Sequence, residues 1–402
     1  MDPLHFLPAW PPAATPLGWI AVLLLAAIVA GESVRRYLRA SRVIGYLAVG
    51  ALLGPAAGGF IDNGTAGQLR IFVDIAVGML LFELGQRVDL SWLRRNPSLL
   101  AASVLEAALT FMLVYLAMGW FGIGPVTAAA AALLAVATSP AVVMTVIKDM
   151  RAQGQVTERV MLFTALNTAY AVTGLALMVG LLDYESERPL TTMILHPLYL
   201  VAGSAVLAGV LAIVMLSLLR LFGRRPAFQF SATVALVLLT VAAATMLNLS
   251  VPLTLLLLGV FGRLFDYERH FVSMKFGETA MLFIVLLFAL AGASLQFSGW
   301  MAALPLALVF VGARLIGKAL PILLLSNASG LALRKSSLVS LGLTPMSGLS
   351  LLMLHEMMRQ SPSLAAEIGA AMFLAITILA FAGPLAVELA LRRAGEASEE
   401  AR

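Results

Sequence analysis

The sequence predicts an all-α polytopic membrane protein of about thirteen transmembrane helices, built as two inverted repeats with broken helices crossing at the centre. Composition is the first observation behind this. Of the 402 residues, 61% are hydrophobic and 12% charged, against roughly 25% charged in a soluble domain. So little polar surface cannot coat a water-soluble globule, which excludes a soluble enzyme and a disordered chain. The second observation is that apolar runs recur at about the 20 residues a spanning helix needs. The third is the placement of basic residues. Along the alternating loops, 21 Lys and Arg fall on one side and 3, Arg70, Arg188 and Arg359, on the other. This split predicts an outside N-terminus and a cytoplasmic C-terminus. It also explains the net charge of +5 without nucleic acid.

Each span has a physical punctuation. A Pro-rich arm, 1–16, lacks a basic n-region, so the first run, 17–31, reads as retained rather than cleaved. It closes on Arg35, Arg36, Arg39 and Arg42. The second run, 43–60, carries Gly54-Pro55, and the third, 71–88, closes on Arg87. Pro97 opens the fourth, 96–120, and Pro125 the fifth, 124–148, which ends on Lys148. The sixth, 159–183, lies between Arg159 and an acidic loop of Asp183, Glu185 and Glu187. The seventh is 194–222. The eighth, 228–248, and the ninth, 250–266, divide at Asn248-Leu249-Ser250-Val251-Pro252. The rest are 273–296, 300–326, 334–356 and 362–392, followed by a short tail, 394–402. No loop is long enough for a nucleotide-binding domain.

The two halves match at an offset of 206–209 residues. Leu80-Leu81-Phe82 corresponds to Leu286-Leu287-Phe288, and Trp92 to Trp300. Gly50 and Gly54 fall near Gly259 and Gly262; Thr138-Ser139-Pro140 meets Thr344-Pro345-Met346; Glu106 lands on Arg314. The first repeat is expected over 17–193, a linker helix over 194–222 and the second repeat over 223–393. Opposite entry sides make the repeats inverted, a plan typical of secondary transporters, which bind substrate between the repeats. Pro140 and Pro345 sit mid-span in corresponding places. Each removes a helix hydrogen bond, and the freed backbone groups are tolerated only beside protein or water.

Several motifs carry a family resemblance. Ser41-Arg42-Val43-Ile44-Gly45-Tyr46-Leu47-Ala48-Val49-Gly50-Ala51-Leu52-Leu53-Gly54-Pro55 resembles the second-helix signature of monovalent cation:proton antiporters, closest to the branch of glutathione-gated potassium efflux proteins. Gly78 to Gly85, Thr138 to Val143, Phe288 to Leu295 and Arg314 to Lys318 resemble that family's later helices in order. The resemblance covers roughly 20–390. It implies elevator-type alternating access, a homodimer and a bacterial inner-membrane location. One departure stands out. Where the family has an aspartate pair-member that binds cation and proton, this chain has Asn167-Thr168.

Intramembrane charges are costly and functional by default. Glu83, Glu106, Arg314 and Lys318 are such charges. Glu106 and Arg314 are expected to pair, or else Glu106 or Glu83 replaces the missing proton carrier. Asn167 and Thr168, with Thr138, Ser139, Thr344 and Ser347, offer hard oxygen ligands to a monovalent cation. Asp74, Glu278, Glu356, Glu367 and Glu388 read as interfacial. With 0 Cys and 4 scattered His, no hydrolase constellation, resident metal or cofactor is expected. The expected activity is sodium or potassium exchange for protons. The alternative is an anion or organic solute held by Arg314 and Lys318 on the same scaffold.

Overall fold

The computed structural model describes residues 16–38, 40–54, 57–59, 70–88, 95–182, 190–222, 226–266, 278–293 and 299–398. The arm before residue 16, the acidic loop at 183–187 and the last four residues of the tail lie outside these. The described residues form fifteen α-helices. They are α1 (Pro16–Ser33, extended by a π-helical turn, Val34–Leu38), α2 (Arg42–Leu53), α3 (Arg70–Arg87), α4 (Pro97–Trp120), α5 (Pro125–Val136) and α6 (Pro140–Asp149). Then follow α7 (Gln155–Leu182), α8 (Leu190–Phe222), α9 (Pro226–Met246), α10 (Val251–Phe265) and α11 (Glu278–Ala293). The chain closes with α12 (Trp300–Leu324), α13 (Leu333–Gly342), α14 (Gly348–Gln360) and α15 (Pro362–Ala394).

Proline starts many of these helices, because its missing N–H falls among the unpaired donors of a first turn. α4, α5, α6 and α15 all begin this way. α15 stops at Gly395, whose φ of 73° is the left-handed cap that glycine adopts without strain. Among the described residues, seven segments are long and apolar enough to cross a membrane, while α2, α10 and parts of α3 and α11 are shorter apolar helices. Among the described residues of the second span, expected over 43–60, the helix runs to Leu53.

Most helices have a counterpart about 208 residues on: α1 and α9, α2 and α10, α3 and α11, α4 and α12, α5 and α13, α6 and α14, α7 and α15. Their packing follows the same exchange. α2 packs on α11 and α3 on α10; α4 packs on α12; α6 packs on α15 and α7 on α14. Glycines permit the first two contacts. A Cβ on Gly50 would strike the Ala289 backbone, and one on Gly292 the Leu47 carbonyl. Gly85 against Leu256 and Gly259 against Phe82 repeat this between α3 and α10. α8 has no counterpart and packs against α7, α9 and α10.

The main core gathers around α5, α6, α7 and α13 to α15, whereas smaller clusters join α8 to α10 with α3. Of the best apolar window within Pro125–Asp149, 94% is buried, against 33% within Leu195–Phe222. The broken pair α5–α6 is therefore ringed by protein, where free backbone groups can find partners.

Candidate functional site

The helix interrupted at Pro140 ends as α5 at Val136; Ala137 turns out of the helix, and Ser139 caps α6 by accepting from Val142 N at 3.4 Å. Its counterpart ends as α13 at Gly342 and resumes as α14 after Ser347, whose φ of −165° is extended backbone. The two breaks touch. Ser139 N donates to Pro345 O at 2.9 Å, and the hydroxyls of Ser139 and Ser347 lie 2.6 Å apart. These serines are 208 residues apart, the repeat offset itself. Thr344 sits in the second break but turns its hydroxyl back to Leu341 O at 2.7 Å.

Arg314 of α12 reaches this crossing from complete burial. Its Nε donates to Ala135 O at 3.0 Å, Nη2 to Ala137 O at 2.9 Å and Nη1 to Thr344 O at 2.7 Å. Nη2 also lies 3.3 Å from Leu343 O and 3.4 Å from Pro345 O. These carbonyls close α5 and α13, the negative ends of two half-helices. A planar fork of five N–H donors suits such a fan of acceptors. Arg314 thus binds the two breaks together.

One turn along α12, Lys318 forms the ion pair that the sequence suggested for Arg314. Its Nζ donates to Glu106 Oε1 at 2.7 Å and to Val136 O at 3.0 Å; the side chains are 1% and 0% exposed. Gly317 makes room for this. A Cβ there would stand 2.5 Å from Thr110 Cα, so α12 can approach α4 closely. Glu106 Oε2 and Thr110 Oγ1, on one face of α4, have no hydrogen-bond partner among the described residues. Arg314, Lys318 and Glu106 together leave one net positive charge beside the crossing.

α7 adds neutral oxygens. Asn167 Nδ2 donates to Thr138 Oγ1 at 3.3 Å, while its Oδ1 is buried with no partner among the described residues. Thr168 Oγ1 donates to Thr164 O at 2.8 Å, with Thr138 O at 3.4 Å. Thr138, Ser139, Ser347, Asn167, Thr168, Arg314, Lys318 and Glu106 therefore converge around one crossing, with Thr344 at its edge. Glu83 does not join them: on α3, its Oε2 accepts from Lys148 of α6 at 2.7 Å. Glu388, near the end of α15, is buried and accepts from Arg392 at 2.6 Å. Among the described residues, no group of three or more His, Cys, Asp or Glu could hold a metal.

Sequence reasoning missed two features near the ends of α6 and α7. Asp149 accepts from Arg42 Nη1 at 2.9 Å. The tail residue Glu396 caps α7, accepting from Val156 N at 2.9 Å, and from Thr157 N and Thr157 Oγ1 at 2.8 Å each. Ordinary charge at a span edge carries no sign of its partner, so neither was visible in sequence.

The sodium/hydrogen exchanger transmembrane family matches residues 20–393 of the chain. Two solved structures have its fold. One is the sodium proton antiporter MjNhaP1 from Methanocaldococcus jannaschii at pH 8: 17% identity, TM-score 0.69, covering 94% of this chain and 97% of that one. The other is an electron-microscopy map of the same antiporter: 16% identity, TM-score 0.68, covering 95% and 98%. No curated protein sequence matches the chain.

Proposed function

The chain belongs to the sodium/hydrogen exchanger family, whose members are transporters rather than enzymes, and from that premise we propose that it exchanges a monovalent cation for a proton. The carrying observation is the buried Glu106–Lys318 pair hydrogen-bonded to Val136 O, at the edge of the first break. This pair supplies the titratable group that Thr168 no longer provides. With Glu106 ionised, its charge offsets Lys318 and lowers the repulsion a cation meets at the crossing. With Glu106 protonated, both Lys318 and Arg314 act uncompensated and expel the cation. Cation and proton therefore exclude each other electrostatically, which is the condition for exchange.

Asn167 Oδ1, left over after its amide group bonds Thr138, is the first acceptor offered to the cation, with the Thr138 hydroxyl next to Asn167 and the paired Ser139 and Ser347 hydroxyls at the two breaks. Thr168 gives its one hydroxyl hydrogen to Thr164 O, which leaves the oxygen 3.4 Å from the Thr138 carbonyl as a further acceptor at the site. Sodium and potassium are the substrates of this reading. Its motion is elevator-type: the body of α4 to α7 and α12 to α15 slides against α1 to α3 and α8 to α11. The protein works as a homodimer in a bacterial inner membrane, N-terminus outside and C-terminus in the cytoplasm.

Proteoliposomes with an imposed pH gradient test this reading. Adding sodium, potassium or lithium is expected to collapse the gradient, and Asn167→Ala to raise the half-saturating cation concentration. A gradient unmoved by every cation, from folded protein, would remove it.

A second reading rests on a different feature. Arg314 already covers the carbonyl ends of α5 and α13, which leaves the N-terminal ends of α6 and α14 as the positive poles of the crossing. These favour an anion. Chloride or carboxylate flux abolished by Arg314→Gln, without cation dependence, would support it.

A further inference from the structure

We infer that Glu83, Lys148, Arg42 and Asp149 form a two-pair latch that holds one end-state of the transporter closed. The inference rests on the alternating-access reading above. Both pairs join the end of α6, in the body with the crossing, to helices of the other body. Lys148 Nζ meets Glu83 Oε2 of α3 at 2.7 Å, and Asp149 Oδ1 meets Arg42 Nη1 of α2 at 2.9 Å. Consecutive residues of opposite sign thus grip two different helices. A small cavity of about 10 Å³, room for roughly one water, adjoins the first pair, lined by Met79, Leu80, Lys148, Phe283 and Ile284 among others.

The second pair is poised. Asp149 is an acid at the C-terminal end of α6, and Arg42 a base at the first position of α2. Each opposes its own helix dipole. Each is relieved by the other, and that relief lasts only while α6 stays against α2. Glu32 on α1 also accepts from Arg42, at 3.0 Å, so the base stays anchored to the stationary side.

By the offset of 208 that joins Ser139 to Ser347, Glu83 corresponds to Ala291 and Asp149 to Met357, while Arg42 falls at Ser250. Lys148 corresponds to Glu356, so three of the four latch residues have uncharged counterparts. The two pairs bias the scaffold towards the state in which the α6 end is shut. On the predicted topology this is the cytoplasmic end, so the favoured state faces outward.

The chain has 0 Cys, so Met79→Cys gives a single thiol beside the first pair. The test measures its reaction with a membrane-impermeant maleimide presented to the α6 end, in vesicles free of sodium, potassium and lithium at one fixed pH. Glu83→Gln and Arg42→Gln are each expected to speed labelling about tenfold. The exchanged pair, Glu83→Lys with Lys148→Glu, is expected to return it towards the parent rate. Equal rates in parent and both Gln variants would overturn the latch. As a second measure, Glu83→Cys with Lys148→Cys, bridged by a bifunctional methanethiosulfonate that spans the replaced side chains, should stop flux until reduced; flux indifferent to a cross-link shown to have formed would also overturn it. Labelling does not depend on transport. A parent without cation-driven proton flux whose thiol still opens in the Gln variants would remove the antiport reading and keep the latch.

Discussion

Removing Lys318 tests the buried pair most sharply. Lys318→Met keeps the unbranched stem of the side chain, one atom shorter, and deletes its charge. Glu106 then stays in a site with 0% exposure, its Oε1 without the donor at 2.7 Å and its Oε2 already unpartnered. Solvent screening does not soften this, because neither side chain reaches water. Breaking one side of a buried pair costs about 3–5 kcal/mol. Replacing both members costs far less, because no charge is left stranded. The double variant Glu106→Gln with Lys318→Met should therefore be more stable than Lys318→Met alone. The assay is chemical or thermal unfolding in detergent, run as a double-mutant cycle. A coupling of about 3 kcal/mol is expected, well above the few tenths seen between independent sites. Additive losses would refute the reasoning, because they would mean that Glu106 and Lys318 do not compensate one another.

Other outcomes follow from the same geometry. Arg314→Lys keeps the charge but loses the fork that spans both breaks; it should fall between the parent and Arg314→Met in thermal stability, with exchange impaired in both. Gly259→Leu should abolish a folded product, because its Cβ meets the Phe82 carbonyl, while Gly312→Ala, with open space around it, should leave expression and melting unchanged. Glu396→Ala removes the acceptor for three donors at the start of α7; a loss of about 1–2 kcal/mol is expected, measured by unfolding of the full chain.

Much of this architecture is legible in the residues because prolines and charges mark the ends of apolar runs. Pro97, Pro125 and Pro362 open helices where the runs begin. The break at Pro140 and its counterpart at Pro345 are visible because proline cannot continue the backbone ladder. The length of α2 is less legible: Leu53 and Gly54 belong to one apolar run, yet the helix closes there, its Gly54 N–H bonding Gly50 O at 2.8 Å.

The candidate site divides in the same way. That Glu106, Arg314, Lys318 and Asn167 matter follows from polar residues lying inside apolar spans. Which base takes the carboxylate does not follow. Arg314 and Lys318 share one face of α12, and spacing alone cannot rank them. The choice depends on where α5 and α13 stop. Their carbonyl fan suits a forked guanidinium, which leaves the single ammonium for Glu106. Glu83 shows the same limit, because its partner Lys148 lies 65 residues away at what reads as an ordinary span edge.

Proton flux driven by sodium, potassium or lithium in proteoliposomes, parent beside Glu106→Gln, tests the central claim most directly. Flux in the parent that disappears in a folded Glu106→Gln protein is the predicted result. Flux that persists undiminished in Glu106→Gln would show that the Glu106–Lys318 pair is not the proton-exchanging unit.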